Sequence, residues 1–422
     1  VLFGFCPFVF ARSAHIQLLM TAGLPFSMLA FHHLAVRPGV WRGVVLGLVL
    51  AVAGLACGYY GLFAGLMVGV AILFYAAMDR LWTRRSYWTS IAVAVVIGGL
   101  VAGACFLPYV DVGETHGSVS RTLDEARVYS ADWRAYLASP ARSHRWLLTR
   151  IEVWNEVLFP GFLVLGLAAV GVVTGLRSTR ETLARTAVTS PAHQDPSRVV
   201  ALYGLLALLA AWASFGPSGG LYTLLFETIP GFGMLRAPAR LGIVVALALA
   251  VLAGVGVTQL ARERRKAAVT AGLLIVALAE LAAVPYPHYE APRFPAAYRM
   301  LEQLPAGPIA EFPYFNQRMD YPRHTYYMVG STGHWRPLVN GYSDVIPQDF
   351  RAEVDDLAGF PSARSFDILA RHGTRYVLLH RQFYADEDWT TLAARVASFN
   401  HRLQPIFWDD DARLYELVPD GT

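Results

Sequence analysis

The sequence contains little charge, and its positive charge is almost entirely arginine. Only 16% of the 422 residues are Asp, Glu, Lys or Arg, against about 25% in soluble domains, and Lys266 is the only lysine. No long basic run is present, which excludes the usual kind of nucleic-acid-binding surface. Cys6, Cys57 and Cys105 lie in or beside apolar segments, so a disulfide framework is not expected.

Sequence motifs of several enzyme classes are also missing. No zinc-ligand spacing, phosphate-binding loop or nucleophile elbow occurs anywhere in the sequence. The run Asp409-Asp410-Asp411 is predicted to be a hairpin turn, since hard cations need about six oxygen ligands from spaced residues. No cofactor is indicated firmly, and a requirement for a divalent metal stays open.

Long apolar stretches dominate the first two thirds of the chain. Residues 43–78 are 36 residues without a charge. As one helix they would extend about 54 Å, well beyond a hydrocarbon core of about 30 Å, so we place two spans there with a break at residues 58–61. We predict an α-helical polytopic membrane bundle with a partial span at 1–11 and eight complete spans at 17–35, 43–57, 61–78, 88–108, 158–176, 199–215, 241–260 and 267–284.

The arginines predict how this bundle is oriented. They concentrate in alternate short loops, near residues 37–42, 80–85, 177–198 and 262–266, which the positive-inside rule places in the cytoplasm. The loops 109–157 and 216–240 and the whole segment after Pro285 then face the non-cytoplasmic side of the membrane. Two glycine series with four-residue spacing predict close helix contacts: Gly61, Gly65 and Gly69, and Gly99 and Gly103.

The segment 285–422 reads as a small water-facing α/β domain. We predict helices at 295–303, Ala363–Arg371 and 388–399, and strands at 308–312 and 375–380, with Gly373 ending the helix before the second strand. Residues 403–408 and 413–418 are predicted to form a hairpin.

Acidic residues near the predicted membrane surface are candidates for a general base. Asp111 and Glu114 follow the span 88–108 directly and are weak catalytic candidates. The long loop is equally well explained as a solvated segment with an interfacial helix capped at Ser130. Glu280 lies one turn from the end of its span, and we expect it to snorkel to the interface.

Two arginines before the span 241–260 form a more specific pattern. Arg236 and Arg240 flank Pro238, and proline favours a helix N-terminus, where N–H groups and a partial positive charge attract phosphate. Anchoring of the helix among lipid headgroups explains them equally well. His15, at the same predicted face, is a candidate sugar or phosphate contact.

The segment 334–344 combines aromatic rings with hydrogen-bonding groups. Its Trp335 and Asn340 are candidate substrate contacts, because aromatic faces cover sugar rings and polar groups bind hydroxyls. A loop packed against the rest of the protein is an equal alternative.

Four stretches together resemble bacterial GT-C-type glycosyltransferase-like membrane proteins: AHIQLL at 14–19, LFPG at 158–161, RAPAR at 236–240 and IAEFP at 309–313. The resemblance implies a polyprenyl-phosphate sugar as donor, reaction on the non-cytoplasmic face, and contacts from Arg236 and Arg240 to the lipid phosphate. In that superfamily the catalytic acid lies in the first outer loop. Because the sequence starts with Val1 inside an apolar run, we expect an N-terminally truncated chain that lacks this acid.

These observations lead to a functional hypothesis. We expect a membrane glycosyltransferase that moves a sugar from a polyprenyl-phosphate donor to a lipid or cell-envelope glycan acceptor. The alternative is a non-catalytic membrane protein that binds or assembles envelope polysaccharide. The expected partners of the protein are the bilayer, the lipid-linked sugar and the acceptor; nucleic acid is not expected to be a partner.

Overall fold

The structure is a computed structural model that describes residues 1–116, 121–151, 156–184, 196–260, 266–283, 293–317, 319–343 and 346–418. Side chains are described in these ranges except at 109–116, 178–184 and 266. The chain divides into two compact units. Unit 1 comprises Val1–Gly113 and Ser118–Pro287, and unit 2 comprises Glu114–Gly117 and His288–Thr422.

Most of the helices up to residue 283 are apolar. The helices up to residue 283 are α1 Pro7–Ala11, α2 Gly23–Val36, α3 Val40–Ala56, α4 Gly58–Met78, α5 Arg85–His116, α6 Leu123–Val128, α7 Arg145–Ile151, α8 Phe162–Ala184, α9 Pro196–Ser214, α10 Leu221–Thr228, α11 Gly242–Leu260 and α12 Lys266–Leu281. Short 3-10 turns at Ile16–Leu19 and Pro238–Leu241 precede α2 and α11.

Five of the described helical segments are long and apolar enough to cross a membrane. They are Ile16–Val36, Gly58–Met78, Arg85–Pro108, Pro196–Ser214 and Pro238–Leu260. Three more predicted spans are shorter apolar helices, Val40–Ala56, Phe162–Arg177 and Ala267–Leu281. A helix of 17 residues extends about 26 Å, slightly less than a hydrocarbon core. The chain therefore has the helices of a membrane protein, with five clear candidates for spans where eight were predicted.

The break inside the long uncharged stretch lies earlier than predicted. Residues 58–61 were expected to form a turn, but they are the first turn of α4, and only Cys57 is extended between α3 and α4. Tyr60 is fully buried there, and its hydroxyl donates a hydrogen bond to the carbonyl oxygen of Leu18 at 2.7 Å. This tertiary hydrogen bond holds Tyr60 in the packed interior of unit 1.

Glycines bring two helix pairs of unit 1 into backbone contact. A Cβ atom on Gly61 of α4 would overlap the backbone of Gly54 in α3, and one on Gly47 would lie 2.6 Å from the carbonyl oxygen of Ala94 in α5. The predicted close approach at Gly61 is thus confirmed. It is wrong for Gly65, Gly69, Gly99 and Gly103, where no described atom lies within 4 Å of such a Cβ. Regular glycine spacing therefore does not by itself show which of the glycines contacts a neighbouring helix.

Glu280 caps a helix, and the prediction that it snorkels to the interface is wrong. Its carboxylate accepts hydrogen bonds from the backbone N–H groups of Phe162 and Leu163 at the start of α8, at 2.5 and 3.0 Å. His144 Nε2 lies 3.0 Å from the same carboxylate, which is only 13% exposed. A helix N-terminus supplies free N–H groups and a partial positive charge, so the protein itself solvates this acid.

The predicted interfacial helix beginning at Ser130 is absent. The structure has a 3-10 turn at Ala135–Leu137, and Asp132 accepts a hydrogen bond from the N–H of Ala135 at 2.9 Å. Ser130 instead donates to the carbonyl of Ala126, at the end of α6. The predicted helix is therefore replaced by a single short turn, whose first N–H is bound by Asp132.

Unit 2 contains a four-stranded mixed sheet. Its strands are β1 Ile309–Phe312, β2 Tyr376–His380, β3 Leu403–Trp408 and β4 Ala412–Leu417, in the order β1-β2-β4-β3. The β1–β2 pair is parallel and the others are antiparallel. A parallel pair needs a long crossover, and three helices of the unit lie in it. The helices are α13 Ala297–Gln303, α14 Thr325–Gly330, α15 Gln348–Ala358, α16 Ala363–Arg371 and α17 Asp386–Ser398.

The elements predicted for the C-terminal segment are confirmed to within two residues at each end. Gly373 has φ +62°, the left-handed conformation that a glycine helix stop requires. Helices α14 and α15 were not predicted; α15 has a polar, acidic sequence and buries only Val354 and Leu357.

Candidate functional site

The segment before α11 is held rigidly in unit 1 by hydrogen bonds from three other elements. The backbone N–H of Arg236 donates to the hydroxyl of Tyr59 in α4 at 3.0 Å. The N–H of Ala239 donates to the carbonyl of Tyr129 at 3.2 Å, and Tyr222 donates to the carbonyl just before Arg236. The backbone N–H groups of Arg236 and Ala239 are therefore occupied, so recognition of an anion here falls to side chains.

Arg240 is largely buried and, among the described residues, has no carboxylate partner. The residue is only 9% exposed, and its guanidinium carbon lies 4.3 Å from the centre of the Tyr59 ring. Among the described residues, no Asp or Glu forms an ion pair with Arg240 and no group accepts a hydrogen bond from its side chain. Burying an unpaired charge costs roughly several kcal/mol of folding free energy, so a buried guanidinium normally pairs with an anion.

Arg236 lies beside Arg240 in a half-exposed position. Its guanidinium lies 5.4 Å from the ring centre of Tyr129 and 4.0 Å from the carboxylate of Glu125. Arg121 shares the same carboxylate at 3.4 Å. The carboxylate of Glu125 therefore contacts two arginines.

Arg12 contributes a fourth guanidinium from the segment between α1 and α2. It forms an ion pair with Glu156, and both side chains are largely buried. Burial, followed by the positive charge of Arg240, lowers the pKa of Arg12 to about 10. Arg12 thus stays charged at neutral pH and is close enough to Arg240 for the two to repel each other.

His15 lies at the edge of these arginines and is exposed. Partial burial lowers its pKa, and the positive charges of Arg240, Arg12 and Arg236 lower it further. The structure therefore brings together the three predicted residues His15, Arg236 and Arg240, although His15 lies more than 220 positions before the two arginines in the sequence.

We call the set Arg12, Arg121, Arg236 and Arg240 the arginine cluster. The carboxylates of Glu125 and Glu156 contact Arg12, Arg121 and Arg236, whereas Arg240 has no carboxylate partner among the described residues. Planar guanidinium groups bind phosphate through paired N–H donors. The chemistry of the cluster is thus that of an anion site, and a phosphate ester has the matching charge.

Several residues that belong to the arginine cluster or contact it were not singled out in the sequence. Arg12 and Glu156 belong to the site only because the chain folds them together, and Tyr59 was interpreted as part of a turn. One signal was available for Arg12: it is the first charge after an uninterrupted apolar run of eleven residues.

The two catalytic candidates from the long loop stay predictions. Asp111 and Glu114 lie on the last turns of α5, and their side chains are outside the described part of the structure. No described group of three or more His, Cys, Asp or Glu side chains is arranged to hold a metal ion.

The two candidates in unit 2 occupy different environments. Asn340 is buried, and its amide oxygen accepts from the N–H of Glu311 at 2.7 Å while its amide nitrogen donates to the carbonyl of the same residue at 2.8 Å. The side chain thus completes the hydrogen bonding of β1. Trp335 is 83% exposed, with φ +52°. Their roles as substrate contacts stay predictions.

Comparison with protein-family models, with curated proteins and with solved structures found no match.

Proposed function

We propose that this chain is a membrane glycosyltransferase that takes a sugar from a polyprenyl-phosphate donor, with the arginine cluster as the site of the lipid phosphate. The observation that carries the proposal is the buried, uncompensated guanidinium of Arg240. A phosphodiester would supply the missing negative charge without displacing any ion pair in the described part of unit 1.

The chemistry of the cluster fits transfer as well as binding. When a glycosyl group leaves a lipid phosphodiester, the bond between the anomeric carbon and the phosphate oxygen breaks and the phosphate gains a negative charge. Fixed guanidinium groups stabilise that charge more than the charge of the donor, which lowers the barrier. A base must also remove the proton of the acceptor hydroxyl, and Asp111 and Glu114 remain the candidates for it.

An apolar cavity next to the cluster supports a lipid-linked donor. It has a volume of about 110 Å³ and is lined by apolar side chains of α4, α9, α10 and α11 and by Leu241. Leu241 directly follows Arg240, and the lining residue Phe63 is in ring contact with Tyr59 at 6.1 Å. Phosphate binding and hydrocarbon binding are therefore possible side by side.

The proposal also covers the cellular location of the protein and its domain architecture. A helical membrane domain followed by an α/β unit is compatible with the GT-C-type resemblance, which implies a bacterial plasma membrane, and the arginine-rich loops favour the non-cytoplasmic side for the cluster and for unit 2. The second candidate function, non-catalytic binding of envelope polysaccharide, would use the same membrane anchor without donor turnover.

Donor consumption in reconstituted membranes tests the proposal. Full-length protein in liposomes is supplied with a radiolabelled polyprenyl-phosphate hexose and an envelope glycan fraction, and loss of label from the lipid is measured. We expect consumption by the wild type, a decrease of at least about tenfold for Arg240→Gln, and no change for the control Arg127→Gln, an exposed arginine paired with Asp124.

The outcomes separate the two functions. Equal consumption by wild type and Arg240→Gln contradicts the role of the cluster. Binding of the donor without any consumption favours the non-catalytic alternative.

A further inference from the structure

Unit 2 contains a cavity that the proposed transfer reaction does not use. It has a volume of about 390 Å³, within the range of about 300–1,000 Å³ typical of small-molecule sites. Its walls come from the chain after β1, from residues 338–343 and from α15. All of these residues belong to unit 2.

One wall of the cavity is a set of aromatic rings that fix one another. Tyr314 is buried, its hydroxyl donates to the carbonyl of Val339 at 3.2 Å, and its ring centre lies 5.9 Å from that of Phe350. Tyr321 meets Phe350 edge-on at 5.4 Å. Rings held in this way keep their positions without a ligand, so an apolar ring face can bind to them with little loss of entropy. Tyr342, half-buried, adds another ring to the lining.

Carboxylates also line the cavity. Glu353 accepts hydrogen bonds from Arg371 at 2.9 Å and from His372 Nε2 at 2.6 Å, which fix its position at the cavity. Asp349 lies one turn away on α15, is exposed, and makes no hydrogen bond or ion pair with a described residue. Carboxylate oxygens accept hydrogen bonds from hydroxyl groups, and they repel anions.

We propose that this cavity binds a neutral pyranose unit of a glycan. A pyranose has an apolar face that covers an aromatic ring and equatorial hydroxyls that donate to carboxylates, and the cavity presents both surfaces. An anionic sugar would face the uncompensated Asp349, and a purely apolar ligand would leave the carboxylates without partners. The proposal concerns recognition only and holds independently of donor turnover at the arginine cluster.

Saturation-transfer difference NMR on the full-length protein tests the site. The protein is held in a non-glycosidic detergent, since a maltoside would compete, and the probes are maltotriose, cellotriose and chitotriose, with trigalacturonate as the anionic control. We expect at least one neutral trisaccharide to bind and trigalacturonate to bind at least about tenfold more weakly.

Paired variants locate the binding. Tyr342→Ala and Asp349→Asn should each weaken it about tenfold, Tyr342→Phe should retain it, and the control Asp367→Asn, an exposed acid on α16 outside the cavity, should not change it. Asp349→Asn and Tyr342→Phe preserve volume, so they stay informative if Tyr342→Ala fails to fold.

Three results would overturn the proposal. They are absence of binding by every neutral trisaccharide, unchanged binding by Asp349→Asn, and binding of an extended tetra-alanine peptide in place of the saccharides. Arg240→Gln should leave saccharide binding unchanged, so failure here and failure of the transferase proposal are distinguishable.

Discussion

Replacing Arg240 should weaken phosphate binding while leaving the fold intact, a combination that buried charged residues rarely show. In Arg240→Gln, loss of charge-assisted hydrogen bonds to a phosphate should lower affinity for farnesyl phosphate by roughly 10- to 100-fold, or about 1.5–3 kcal/mol. The stability of the free protein should change by only about 1 kcal/mol, because the lost contact with the Tyr59 ring is offset by relief from the repulsion of Arg12.

Arg12→Gln provides the contrast within the same cluster. It leaves the buried carboxylate of Glu156 without its partner, and breaking a buried pair costs about 3–5 kcal/mol. Thermal unfolding followed by tryptophan fluorescence and titration with farnesyl phosphate measure both properties on one preparation.

We expect Arg240→Gln to melt close to the wild type and bind weakly, and Arg12→Gln to melt much lower. If Arg240→Gln loses as much stability as Arg12→Gln, its guanidinium has a structural partner and the anion-site reasoning fails. Undiminished binding by Arg240→Gln refutes it as well.

Three other predictions concern titration, capping and packing. Burial lowers the pKa of His15 and the neighbouring arginine charges lower it further; a bound anion offsets those charges, so binding takes up a proton. Affinity for a farnesyl phosphodiester, whose charge is constant in the mildly acidic range, should therefore rise as the pH falls through the lowered pKa of His15. Titrations at several pH values should lose this dependence in His15→Gln, and a wild-type affinity independent of pH would contradict the assignment. Glu280→Ala should destabilise unit 1 by about 1–3 kcal/mol, since it leaves N–H groups of α8 unpaired; a melting temperature equal to that of the wild type would show that water replaces the cap. Gly61→Val should prevent recovery of folded protein, because its side chain overlaps the backbone of α3, whereas Gly65→Val should be recovered normally; equal yields in size-exclusion chromatography would rule out the close helix contact.

Most elements of unit 2 were predictable because their signals are local. Short apolar runs, the glycine stop at Gly373 and the turn at Asp409-Asp410-Asp411 each act within a few residues of the structure that they determine. The apolar helices of unit 1 were predictable for the same reason, since length and hydropathy are local properties. Features that depend on a distant partner were not. Tyr60 meets Leu18, and Glu280 meets the start of α8, and no local pattern indicates either contact.

The candidate site follows the same division. Arg236 and Arg240 stand out in the sequence because they flank a proline beside an apolar span. That Arg240 is buried and uncompensated, and that Arg12 arrives next to it, depends on packing between segments far apart in the chain. Backbone N–H groups were expected to bind phosphate here, but Tyr59 and Tyr129 already accept hydrogen bonds from two of them, so side chains must bind it instead.

The most direct test of a phosphate site in the arginine cluster compares one lipid with and without its phosphate. Titration of the full-length wild-type protein with farnesyl phosphate and with farnesol isolates the phosphate group, since the hydrocarbon is the same. The account predicts that farnesyl phosphate binds at least about 100-fold more tightly, as expected for two or more charge-assisted contacts. Equal affinity for the two lipids would contradict it.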